Sequence, residues 1–140
     1  MSPNNASLDS ELVQRFVSDA HRDFDSVKDM VEKEPKLVNA CWDWGGGDWE
    51  TGLGAAAHTG SRDIAEYLLQ KGARIDLYAA AMLGKLSVVQ AILEDNPSEK
   101  DKPGPHGIKL MTHAKKGGKE AAEVVKLLQS LNKKPKSKEK

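Results

Sequence analysis

The sequence predicts an all-α protein built as a stack of short helical hairpins, a repeat solenoid. Three observations predict it. Residues Glu50–Asp76, ETGLGAAAHTGSRDIAEYLLQKGARID, read as two helices back to back: Thr51 opens the first, Gly60 ends it, and Gly72-Ala73 ends the second. The glycine that ends the first helix recurs as Gly84 in LYAAAMLGK and Gly118 in MTHAKKGGK, and Asp23 fills that place in VSDAHRDFD. Each of these anchors is followed by a second helix with apolar residues spaced by three and four, which puts them on one helical face. One hairpin cannot bury such a face alone, so the pattern requires neighbours.

Taken in order, residues 1–9 form an N-terminal arm and residues 10–40 a first unit whose second helix presents Val27, Met30 and Val31. Asp25 and Ser61 stand where helix N-caps belong, and Pro35 closes the second helix of unit one. Residues 39–49 make a long finger, NACWDWGGGDW. Unit two, residues 49–74, carries Ile64, Leu68 and Leu69; unit three, residues 75–97, carries Val88, Val89, Ile92 and Leu93. Unit four, residues 107–131, carries Val124, Val125, Leu127 and Leu128. The tail, residues 132–140, holds five lysines, one glutamate and no apolar residue, and is expected to be disordered and solubilising. The anchors are spaced by 37, 24 and 34 residues. The short step leaves too few residues between Gly72 and the next helix for a finger, and the last step holds the turn-rich DKPGPHG of residues 101–107.

At 140 residues the chain is one small domain. Lysine plus arginine equals aspartate plus glutamate overall, but residues 1–50 carry 5 against 11, a net −6 that the remainder balances. Such a dipole steers a partner without identifying it, and no strongly basic face favours nucleic acid. Cys41 is the only cysteine, which excludes an internal disulfide and a cysteine-rich zinc site, and it is expected to be a small packed hydrophobe. The N-terminus lacks the pattern of a signal peptide and no window reaches the length of a membrane span. A cytoplasmic protein, without membrane contact, is the expectation.

These residues resemble the ankyrin repeat, whose helix pair runs roughly G-x-T-P-L-H-x-A-A-x-x-G and then L-L-x-x-G-A. Thr51, Leu53, Ala56, Ala57, Gly60, Leu68, Leu69, Gly72 and Ala73 stand at those positions in unit two. Unit three matches through Leu77, Ala80, Ala81 and Gly84, and unit four through Gly107, Met111, Ala114 and Gly118. Unit one is the weakest and is similar to an N-terminal cap. The resemblance covers residues 10–131 and implies an ankyrin-repeat solenoid of about four units with short or missing β-hairpin fingers, of the short, stand-alone, bacterial type. A tetratricopeptide array, the main rival, lacks the small-residue A-A-x-x-G step. The family's Pro and His of T-P-L-H are replaced by Gly52 and Gly54 in unit two, and Tyr78 and Thr112 stand at the His position in units three and four. That histidine normally ties loop backbone between repeats, so its loss shifts stability onto the stacked apolar faces.

The resemblance implies non-catalytic protein binding through finger tips and the concave helix face, with no fixed motif to carry over residue by residue. Candidate partner-binding residues therefore come from the surface reading. Trp42, Trp44 and Trp49 are all the tryptophans of the chain and fall within eight residues. They either anchor a partner or staple the finger to the helices, and Trp49, next to the helix start, leans furthest toward packing. Trp42 and Trp44, spaced i, i+2, share one face of an extended segment. Asp43, Asp48 and Glu50 form a polar rim or solubilise the finger. Tyr78 faces the concave groove or packs into the gap left by the missing finger. His106 lies in the last finger. Gly45–Gly47 lack the lysine and preceding strand of a phosphate loop and read as a flexible turn.

No metal, cofactor or catalytic residue is expected. The four histidines, His21, His58, His106 and His113, show no i, i+4 pair and read as surface or satisfied side chains, with His58 on a solvent-facing position. The expected function is a monomeric, non-enzymatic module that binds an unidentified protein. The alternatives are a self-associating structural module, or a metal-dependent enzyme if Cys41, His58 and His106 converge.

Overall fold

The computed structural model describes residues 6–132. The expected basic tail therefore lies outside the described residues apart from Asn132, as do the first five residues of the arm.

Among the described residues, eight α-helices form four pairs: α1 (Ser10–Asp19) with α2 (Phe24–Lys33), α3 (Gly52–Thr59) with α4 (Arg62–Gln70), α5 (Leu77–Leu83) with α6 (Leu86–Asp95), and α7 (Leu110–Lys116) with α8 (Ala122–Asn132). The odd helices pack side by side in one row and the even helices form the second row, α2 against α4 and α6 against α8. The single finger is a two-stranded antiparallel hairpin, β1 (Cys41–Asp43) with β2 (Trp49–Thr51), that pairs Cys41 with Thr51, Trp42 with Glu50 and Asp43 with Trp49. Residues 71–76 contain no strand.

Local chemistry explains the boundaries. Asp9, Thr51 and Asp76 accept from the backbone N–H groups of Leu12, Gly54 and Ala79, each satisfying a donor that the helix leaves unpaired. At the start of α2 the capping side chain is that of Asp23, which accepts from Ser26 N, so Asp25 lies inside the first turn. Ser61 occupies the N-cap of α4 without capping it; its hydroxyl donates to the His21 carbonyl instead. In unit four the buried leucine is Leu110 and Met111 is half-buried, one residue earlier than the repeat register implies, because α7 ends at Gly117 rather than Gly118.

The core forms two clusters along the stack. Phe16, Val17, Leu37, Leu53, Ile64 and Leu68 fill the first two units, and Val89, Leu93, Leu110, Val124 and Leu128 fill the last two. Alanines at positions 55–57 and 79–81 are fully buried and allow close approach of α3, α5 and α7. Two glycines show how close: a Cβ on Gly84 (φ 79°) would collide with the Glu120 carbonyl, and one on Gly117 with the Met82 carbonyl. Asn39 ties unit one to the short connection of unit two, donating to Gly72 O (3.2 Å) and accepting from Arg74 N (2.9 Å).

The shortened step alters the shape of the stack. Without a finger before α5, α7 reaches past it and packs directly on α3, and the Gly60 turn approaches Lys116. Residues 102–107 cross the gap. Tyr78 holds them there: its hydroxyl donates to Lys102 O at 2.6 Å and its ring lies 3.2 Å from the Cβ position of Gly104. The crossing ends over the finger, with Pro105 against Gly54 and His106 against Asp48.

Candidate functional site

Four donor side chains meet under the finger: His21, Glu50, His58 and His106. One ligand atom from each lies within 4.8 Å of every other. His21 follows the C-terminus of α1, where its Nδ1 lies 3.0 Å from Val17 O and 2.9 Å from Ser18 O, carbonyls of the last helical turn. The turn carrying it is fixed to unit two, because Thr59 and Ser61 both donate to the His21 carbonyl. Glu50 sits on β2 opposite Trp42 and immediately before the cap of α3; its side chain is 1% exposed. His58 projects from the last turn of α3. His106 arrives from the far side on the crossing segment.

The contacts converge on the Glu50 carboxylate. Its Oε1 accepts from the Trp44 indole N–H at 2.8 Å and lies 3.3 Å from both His21 Nε2 and His106 Nε2. Its Oε2 lies 2.9 Å from His58 Nε2, yet the pair is not aligned as a hydrogen bond and neither atom has another partner. Burial pushes the Glu50 carboxyl up, but the imidazoles of His21 and His58 and the Trp44 N–H outweigh it and hold the group well below the usual carboxylate range. The Glu50 carboxylate raises the His21 pKa against the opposing effect of burial. His106 is clamped from outside: Asp48 accepts from its backbone N–H at 2.8 Å and faces its Nδ1 at 2.7 Å. These bonds lower the Asp48 pKa.

His106 has φ 62°, the only left-handed non-glycine backbone among the described residues. Such a conformation costs of order 1–3 kcal/mol and persists only where surrounding contacts enforce it.

The finger is more ordered than a flexible turn. Asp43 Oδ1 accepts from Gly45 N (2.8 Å) and Gly47 N (3.0 Å), and the left-handed backbone of Gly45–Gly47 closes the tip. The hairpin register puts Trp42, Trp44, Asp48 and Glu50 on its inner face and Cys41, Asp43, Trp49 and Thr51 on its outer face. Trp42 packs on the core, Trp44 is 37% exposed above the cluster, and Trp49 is 59% exposed. The relative expectation for the tryptophans is thus reversed: Trp49, next to the helix, is the freest because it faces outward. Asp43, Asp48, Tyr78 and His106 all spend polar atoms on contacts within the chain.

Cys41 is exposed on the outer face and takes no part in the donor cluster, so the expected packed cysteine is corrected by the strand register. His58, expected to face solvent, is turned inward with only 14% of its side chain exposed, because the crossing segment covers it. His113 is fully buried and donates no contact to the cluster; its Nδ1 faces Lys109 O at 2.8 Å and its ring lies 4.9 Å from Tyr78. The sequence alone reads His21 as a surface or satisfied histidine and Glu50 as a rim or solubilising carboxylate, and joins neither to a cluster. The one available signal was the replacement of the family histidine by Gly54, whose missing side chain makes room for Pro105.

Residues 48–79 match the family model of the ankyrin repeat. No curated protein matches the chain. The matched span begins in the finger at Asp48 and runs through the first turn of α5, so it contains Glu50 and His58 and both helices of unit two. Residues 48–79 thus carry an ankyrin repeat, and with three further helix pairs stacked on it in the same two rows the chain has an all-α ankyrin-type repeat fold.

Proposed function

We propose that this protein is a non-catalytic protein-binding module that recognises its partner through the outer face of the finger. Ankyrin repeats are in general protein-interaction modules. The observation that carries the finer reading is Trp49, an indole 59% exposed on a hairpin whose tip and base are both pinned. A rigid, exposed tryptophan is the type of side chain that dominates interfaces, where its truncation costs about 2 kcal/mol or more. The partner is a protein rather than nucleic acid or membrane, bound by a monomer; no helix among the described residues is long and apolar enough to cross a membrane. A reducing, cytoplasmic compartment suits the exposed thiol of Cys41.

Cys41 supplies the test, because it shares the outer face with Trp49. A cleavable photo-crosslinker attached to Cys41 is activated in source-cell lysate and the captured proteins are identified by mass spectrometry. The expected result is one saturable product, lost on Trp49→Ala and retained on a distant surface substitution such as Gln90→Ala. Equal capture by the wild type and Trp49→Ala overturns the reading.

A further inference from the structure

We propose that His21, Glu50, His58 and His106 form a binding site for one divalent transition-metal ion of the zinc type. Three imidazole nitrogens and one carboxylate are the donor chemistry that zinc and its neighbours favour, whereas calcium and magnesium require mainly oxygen.

The spacing fits. Ligands sharing a tetrahedral ion at about 2.0–2.1 Å stand about 3.3–3.4 Å apart. His21 Nε2 and His106 Nε2 each lie 3.3 Å from Glu50 Oε1, and all four donors fall within 4.8 Å of one another. His58 Nε2 and Glu50 Oε2 approach to 2.9 Å without hydrogen-bond alignment, and both are buried with no other partner. They point at a shared space rather than at each other.

The outer contacts fit as well. The Nδ1 of His21 faces two backbone carbonyls and the Nδ1 of His106 faces Asp48, so both rings turn Nε2 inward, toward Glu50. Ligating histidines are oriented in this way by carbonyls and carboxylates, and ligating carboxylates are themselves hydrogen-bonded, as Glu50 is by Trp44. One central cation would take all of these inward donor atoms as ligands. Protons instead would place positive charge on rings whose centroids are 4.9 Å (His21–His58) and 5.2 Å (His58–His106) apart. The left-handed backbone of His106 is a further cost that places its ring over the cluster. Entry is from the groove beside His21 and His58 that Thr59, Ile108 and Thr112 line.

The site joins three units, because His21 belongs to unit one, Glu50 and His58 to unit two, and His106 to the crossing segment that leads into unit four. A bound ion would therefore act as a clasp across the stack.

The test uses tag-free full-length protein stripped with a chelator. Cobalt titration should give visible d–d absorption of tetrahedral intensity that saturates at one equivalent and is displaced by zinc. Zinc should raise the melting temperature and magnesium should not. Because Glu50 is buried, its replacement can prevent folding, so His106→Gln and Asp48→Asn are the deciding variants, with far-UV circular dichroism confirming the fold. Asp48→Asn should weaken zinc affinity about 10–100-fold while leaving all four ligands in place, and His106→Gln should weaken it at least as much. No cobalt absorption in the wild type, unchanged affinity in both variants, or an equal thermal shift with magnesium each overturns the proposal.

Discussion

At the scale of single residues, one glycine, one tryptophan and one histidine carry distinct physical demands. Gly52 stands where the repeat usually has proline, and a Cβ there would lie 2.6 Å from the Phe16 ring. Phe16 is fully buried and cannot withdraw, so Gly52→Ala is expected to destabilise by about 1–3 kcal/mol through overpacking, despite alanine's better helix propensity. Chemical denaturation of the two proteins checks it. Trp49→Ala, by contrast, should change stability by less than about 0.5 kcal/mol, because the ring has little to lose on truncation; a larger loss would mean the indole packs on the finger. His113 sets a pH dependence. Burial lowers its pKa, so the folded state prefers the neutral ring. The unfolded chain takes up its proton near pH 6.5, ahead of the folded one, so this contribution to stability is fully present above pH 6.5 and is lost as the pH falls toward the folded pKa. The wild type should therefore lose stability on acidification from pH 7 to pH 5 relative to His113→Leu. A stability difference between the two that stays constant over that range would contradict the sign.

At the scale of elements, the finger shows how a short hairpin becomes rigid. Two three-residue strands are marginal alone. Here the tip is capped by Asp43, the inner face rests Trp42 on the core, and Glu50 is fixed by Trp44 and the histidines. Asp43→Ala removes the acceptor of the Gly45 and Gly47 amides, which should then exchange hydrogen faster while the helix amides keep their protection. Much of this level was legible in the sequence. The apolar spacing and the end residues placed all four helix pairs, because those features are local. The errors were local too. Asp23 rather than Asp25 caps α2, since the turn after α1 ends two residues earlier. Leu110 rather than Met111 fills the core, since the left-handed glycine of unit four lies one residue beyond the helix end. What no local pattern contained was the donor cluster. Glu50 has no apolar periodicity to betray its burial, and His21, His58 and His106 come from three different segments of the chain.

At the scale of the whole molecule, the missing finger is what brings those segments together. An array with equal spacing would keep unit four away from unit two. The shortened step lets α7 pack on α3, and the crossing residues 102–107 fill the gap and carry His106 to Asp48 and Glu50. Gly54 is the permissive position, because its Cβ location is 3.7 Å from Pro105 Cγ and any longer side chain would occupy the path of the crossing segment. Restoring the family residue, Gly54→His, should therefore leave the four helix pairs intact, since Gly54 has ordinary helical backbone and histidine tolerates it. The added ring would displace Pro105 and pull His106 off Asp48. Its amide, bonded to Asp48 in the wild type at 2.8 Å, should lose hydrogen-exchange protection together with the Gly104 amide, which donates to Ile108 O. The amides of α1 and α2, distant from the crossing, should keep theirs. If instead the His106 amide stays protected in Gly54→His, the crossing segment is held by Tyr78 and Lys102 alone, and the link between the shortened step and the cluster fails.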